Sequence, residues 1–173
     1  MKRIILALLM SAMSLSVSAG NQSISPSVQL LSIKAVATAE KYGDELYMTV
    51  TSYPSKGKAS HYQVPKFPLH WPSEHLGKIR NITLWNGNID KGQAVELVMS
   101  LVEQDTPPWN TNDLIGTIKV KLHNKNGKLE SSFSIPNMKQ AGTVVKTKYG
   151  KATKFEFVGA DYKYELVFML KTK

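Results

Sequence analysis

From about residue 28 to the C-terminus the chain alternates apolar and polar side chains with a period of two, and no stretch sustains the 3.6-residue period of an amphipathic helix. Successive side chains of an extended strand point to opposite faces, so this pattern commits the chain to strands that bury one face. Leu46, Met48 and Val50 alternate with Tyr47, Thr49 and Thr51; Val95, Leu97, Met99 and Leu101 with Glu96, Val98 and Ser100; Ile118, Val120 and Leu122 with Lys119 and Lys121. In the last strand Tyr162, Tyr164, Leu166, Phe168 and Leu170 share a face, and further strands are expected over 28–37, 79–85, 130–135, 143–148 and 153–158. Turn signals stand between them at Tyr42-Gly43-Asp44, Asn86-Gly87-Asn88, Asn126-Gly127-Lys128, Tyr149-Gly150-Lys151 and Gly159-Ala160-Asp161, where Gly or Asn supplies positive φ. The expected fold class is all-β, an antiparallel β-sandwich of about eight strands. Residues 53–72, with prolines at 54, 65, 68 and 72, read as an edge strand plus a long loop, because proline cannot donate to a ladder.

The first residues follow a different logic. Lys2 and Arg3 form a positive start, residues 4–10 are apolar, and Val17-Ser18-Ala19 precedes Gly20 with the small residues a signal peptidase requires. Residues 1–19 are therefore expected to be a cleaved signal peptide, 20–27 a loose arm, and 28–173 a single domain, exported to the periplasm or passed on to the medium. The chain has no cysteine, so no disulfide reinforces it in an oxidising compartment.

Charge narrows the partners. The chain carries 22 basic and 13 acidic residues, a net charge of +9, and loss of Lys2 and Arg3 with the leader reduces this by two to +7. Arg80 is then the one remaining arginine. Sequence-specific readers of nucleic acid rely on the bidentate arginine fork, so the lysine-rich charge points instead to anionic lipid, an acidic polysaccharide or an acidic protein surface.

One segment is more specific. A strand ends in Glu103-Gln104-Asp105, a loop follows, and Asp113-Leu114-Ile115-Gly116 opens the next strand. Earlier, Gly43-Asp44-Glu45-Leu46-Tyr47 opens another strand, and Trp85-Asn86 precedes the turn before residue 94. In this order the pieces resemble the C2 domain family over about residues 28–122. The resemblance implies a C2-like sandwich in which Asp44, Glu103, Asp105 and Asp113 converge at one end as ligands of a weakly held Ca²⁺, with Glu40 as a substitute for an acid the family places ahead of Asp44. Glu103 stands where the family has Asp, and the loop before Asp113 is about two residues longer. The resemblance also implies that Trp109, beside Pro107 and Pro108, inserts into a membrane, and that lysines such as Lys119 and Lys121 face anionic phospholipid or a partner protein. The chain as a whole also resembles small exported proteins of Gram-negative bacteria, some of which are substrates of an outer-membrane secretion machine.

Enzymatic readings find less support. His70 and His75 are separated by Pro72, which excludes the helix a His-Glu-x-x-His site needs, and there is no Gly-x-Ser-x-Gly elbow, cysteine nucleophile or phosphate-binding glycine loop. The expectation is a non-enzymatic binding module. Two alternatives stand beside it: a carbohydrate-binding sandwich that stacks sugars on Trp71, Trp85 or Trp109, and a small hydrolase that uses Glu103 with Asp105 or Asp113.

Overall fold

The computed structural model describes residues 22–105, 111–136, 145–146 and 149–172. In chain order the elements are β1 (Pro26–Ala37), β2 (Glu45–Pro54), β3 (Ser60–Val64), β4 (Trp71–Pro72), a short 3-10 helix (Ser73–Lys78), β5 (Ile82–Asn86), β6 (Ala94–Glu103), β7 (Asp113–Lys125), β8 (Lys128–Ser134), β9 (Val145–Lys146), β10 (Ala152–Val158) and β11 (Lys163–Thr172). They form an all-β sandwich of two antiparallel sheets. One has four strands in the order β10-β11-β1-β5; the other follows β3-β2-β6-β7-β8-β9, with β4 also paired to β2.

Eleven strands are described against the expected eight or so; the expected edge strand in the proline-rich stretch is β3, and β4 is an additional two-residue piece there. Pro65 and Pro68 lie between β3 and β4, which share one edge of β2 end to end: Met48 to Ser52 face β3, while Glu45 and Leu46 face β4. Of the expected 143–148 strand, the described residues are the two of β9, which pair with β8.

The alternation seen in the sequence is the alternation of burial. Leu46, Met48 and Val50 of β2, Leu97, Met99 and Leu101 of β6, Ile118, Val120 and Leu122 of β7, and Tyr164, Leu166, Phe168 and Leu170 of β11 are all buried between the sheets. Phe133, Phe155 and Phe168 pack with ring centroids 5.7 to 6.3 Å apart and join β8 to β10 and β11. Burying side chains of this size stabilises by about 1.5–3 kcal/mol each, which is how a cysteine-free domain holds together.

Registers define the two ends of the sandwich. Leu46 faces Glu103, Glu103 faces Asp113, Ala37 faces Lys163, and Lys163 faces Val158. The end of β1, the start of β2, the end of β6, the start of β7, the end of β10 and the start of β11 therefore lie at one end, here called the acidic end.

Candidate functional site

Gly43 begins the site. Its φ of +92° turns the chain from β1 into β2, and a Cβ there would lie 2.6 Å from Ser73 Oγ. Because that space is empty, Ser73 comes close enough for its Oγ to accept the Asp44 N–H at 2.9 Å, while the Ser73 N–H donates to the Asp44 carbonyl at 2.9 Å. Asp44 is thus fixed to the 3-10 helix through its backbone, and its side chain turns inward to 1% exposure.

Inside, the Asp44 carboxylate accepts the backbone N–H of Ala39 at 3.1 Å, that of Glu40 at 2.9 Å, and the hydroxyl of Tyr164. These donors explain how a carboxylate survives burial. Tyr164 is fully buried, and burial first, then the hydrogen bond to Asp44, holds its phenol above the ordinary tyrosine value.

Glu103 is 3% exposed and its Oε1 has no hydrogen-bond partner. Burial, followed by repulsion from Asp44, Asp105 and Glu40 and a side-chain hydrogen bond with Asp44, pushes its carboxyl up to about 8. Two carboxylates that share a hydrogen bond need a proton between them, and the environment assigns that proton to Glu103.

Of the sequence-predicted ligands, Asp44, Glu103 and Asp105 lie within electrostatic reach of one another, and Glu40 joins them through its backbone and its charge. Asp113 faces Glu103 in register, yet its side chain is exposed. Asn112, which the sequence did not single out, ties the loop down by accepting the Asp105 N–H at 3.0 Å and donating to the Tyr47 hydroxyl at 2.9 Å. Among the described residues no three His, Asp or Glu side chains gather as a metal-binding group. Carboxylate oxygens are the donors Ca²⁺ takes, but the described residues bring too few of them together to form a cluster of the size such an ion needs.

Trp109 lies outside the described residues. Lys119 and Lys121 sit on the outer face of the larger sheet, where their ammonium groups lie 2.5 and 3.7 Å from the Glu96 carboxylate. Trp71 and Trp85 are each 8% exposed and belong to the core, so neither ring is open for a sugar to stack on.

Apolar exposure is the feature that sequence reading missed. Among the described residues, the exposed large apolar side chains are Val36, Tyr42, Tyr53, Tyr62, Phe67, Leu69, Leu114, Tyr149 and Val158. Six of these nine, all except Tyr53, Tyr62 and Tyr149, lie at the acidic end or in the β3–β4 loop beside it. Phe67 is 78% and Leu69 62% exposed. Glu40, Glu45, Glu74, Asp113 and Asp161 crowd the same end, so it is both apolar and negative.

No protein-family model matches the sequence, and no curated protein matches it. Among solved structures, human GIVD cytosolic phospholipase A2 aligns with a TM-score of 0.40 at 10% identity, covering 87% of this chain and 16% of that chain. The same enzyme in complex with methyl gamma-linolenyl fluorophosphonate inhibitor and terbium chloride aligns with a TM-score of 0.41 at 10% identity, covering 87% and 18%. The chain therefore spans less than a fifth of the length of these matched structures. A likeness this distant leaves the family open; the chain's own geometry makes it an all-β antiparallel sandwich with carboxylates and exposed apolar side chains gathered at one end.

Proposed function

We propose that the protein is an exported, non-enzymatic binding module of C2-like design that docks its acidic, apolar end onto a lipid surface. The observation that carries this reading is that six of the nine exposed large apolar side chains among the described residues, Val36, Tyr42, Phe67, Leu69, Leu114 and Val158, lie at one end or in the β3–β4 loop beside it. Exposed apolar surface finds compensation by entering an apolar phase, at roughly 25 cal/mol per Å² removed from water. Calcium enters the reading as a weak ligand. Glu103 and Asp105 would hold it with backbone and water oxygens, and a bound cation would neutralise the acids that crowd this end.

The test is co-sedimentation of the exported chain with phosphatidylcholine vesicles. Phe67→Ser and Leu69→Ser each remove an exposed apolar side chain without touching the core, and each is expected to weaken binding by about tenfold. Lys119→Ala, on the outer sheet face, is expected to leave it unchanged. No sedimentation of the unaltered chain at about 1 mM lipid, with or without millimolar calcium, would remove the membrane reading.

A further inference from the structure

A concave feature lies on the flank of the sandwich. The 3-10 helix packs against β1 on the side of the four-stranded sheet, and a cavity of about 440 Å³ opens between the helix, β1, β10 and β11. That volume falls in the range of small-molecule sites and accommodates a ligand of sugar-phosphate size.

Its lining carries three cations and one carboxylate, that of Glu165 on β11, which stands opposite Lys34 in register. Lys34 comes from β1, Arg80 from the segment after the helix, and Lys154 from β10. Lys154 is already held by Glu165 at 2.8 Å and Glu156 at 3.2 Å, which leaves it nearly neutralised. Lys34 and Arg80 take part in none of the ion pairs among the described residues. The Arg80 guanidinium is steadied by one bond from Nη1 to the Ile79 carbonyl at 2.8 Å, which uses a single N–H of the five it carries. The one arginine outside the leader thus sits beside a cavity with most of its fork unused.

Two unpaired cations around one concavity make a site for a group with two negative charges, and phosphate meets the arginine fork in bidentate geometry. Leu76 and Val167 add apolar lining for an organic body. We propose that this cavity binds a small organic phosphate monoester, with Arg80 and Lys34 holding the phosphate. The cavity adjoins the lipid-docking end through Ser73 and Ala35, but its phosphate-holding residues, Arg80 and Lys34, are not among those on which the lipid-docking reading rests.

The test is calorimetric titration of the exported chain with glycerol 3-phosphate, beside co-sedimentation with vesicles containing phosphatidic acid, whose headgroup is the same monoester. Saturable binding with a Kd at or below about 1 mM is expected, weakened at least about tenfold in Arg80→Ala and in Lys34→Ala and unchanged in Lys119→Ala. Thermal melts establish that each variant is folded, and Arg80→Gln serves as the second variant if Arg80→Ala is not. An Arg80-dependent response to glycerol 3-phosphate assigns a soluble ligand; an Arg80-dependent response to the vesicles alone assigns a membrane headgroup. Silence in both arms up to about 10 mM, or binding that persists in both Arg80 variants, overturns the proposal. Phe67→Ser retains glycerol 3-phosphate binding, so failure of the lipid-docking reading leaves this site standing.

Discussion

Glu103 and Asp44 are two carboxyls buried side by side, and they are satisfied unequally. Asp44 accepts two backbone N–H groups and the Tyr164 hydroxyl, whereas Glu103 has an oxygen with no partner, and burial followed by its acidic neighbours pushes its carboxyl up to about 8. This inequality has a sign in pH. The folded value of Glu103, about 8, lies above the ordinary 4.5, so between these values the folded state keeps a proton that the unfolded chain releases. The contribution of protonated Glu103 is fully present below 4.5, declines as pH rises, and is lost once pH passes about 8. Chemical denaturation in EDTA is expected to show a loss on the order of 2–4 kcal/mol across that window. Glu103→Gln, which keeps a donor and cannot ionise, should flatten the profile and exceed the unaltered chain in stability above pH 8; a profile as steep as before would show that another group is responsible.

β7 shows how one strand serves both core and surface. It pairs with β6 in regular register up to Leu101 opposite Gly116, then slips so that Val102 faces Leu114 and Ile115 is the extra residue of a bulge. The slip lets Ile115 turn inward, 5% exposed, while Leu114 stands out at 61% as part of the apolar end. Gly116 makes this possible. The Phe157 ring from β10 occupies the space where a Cβ would be, so the bulge and the packing of the opposite sheet meet at this one residue. Gly116→Ala is expected to destabilise by about 1–3 kcal/mol through displacement of Phe157, measured by urea unfolding; an unchanged midpoint would mean that the ring yields freely.

At the scale of the whole molecule, charge is segregated. The chain is basic overall, yet Glu40, Asp44, Glu45, Glu74, Asp105, Asp113 and Asp161 collect at one end, where they outnumber Lys41 and Lys163, while lysines such as Lys119, Lys121 and Lys154 occupy the sheet faces in ion pairs with Glu96, Glu156 and Glu165. An end of this sign is repelled by an anionic bilayer over roughly a Debye length, about 8–10 Å in physiological salt. Adding phosphatidylglycerol to phosphatidylcholine vesicles is therefore expected to weaken binding in EDTA, and millimolar calcium to restore it, read by co-sedimentation. Stronger binding to the anionic vesicles in EDTA would instead assign docking to the lysine faces.

The fold class was legible from the alternation alone, because a period of two repeated over β2, β6, β7 and β11 has one way to bury its apolar side. The C2 resemblance grouped Asp44, Glu103, Asp105 and Asp113; Asp44 and Asp105 lie within electrostatic reach of Glu103, while the Asp113 side chain is exposed. Tertiary structure decided the rest. Which of those acids is satisfied depends on Tyr164, distant in sequence, and on backbone donors at Ala39 and Glu40 that no composition reveals. Asn124 is a parallel case at the other end: it reads as an ordinary polar strand residue, yet it is fully buried, donates to the Gln22 and Ile89 carbonyls at 2.6 and 2.8 Å, and accepts the Gly127 N–H at 2.8 Å. The apolar end and the Arg80 cavity belong to the same class of fact. Side chains far apart in the chain become neighbours only when antiparallel registers bring strand ends together, and a linear sequence records the strands without recording that arrangement.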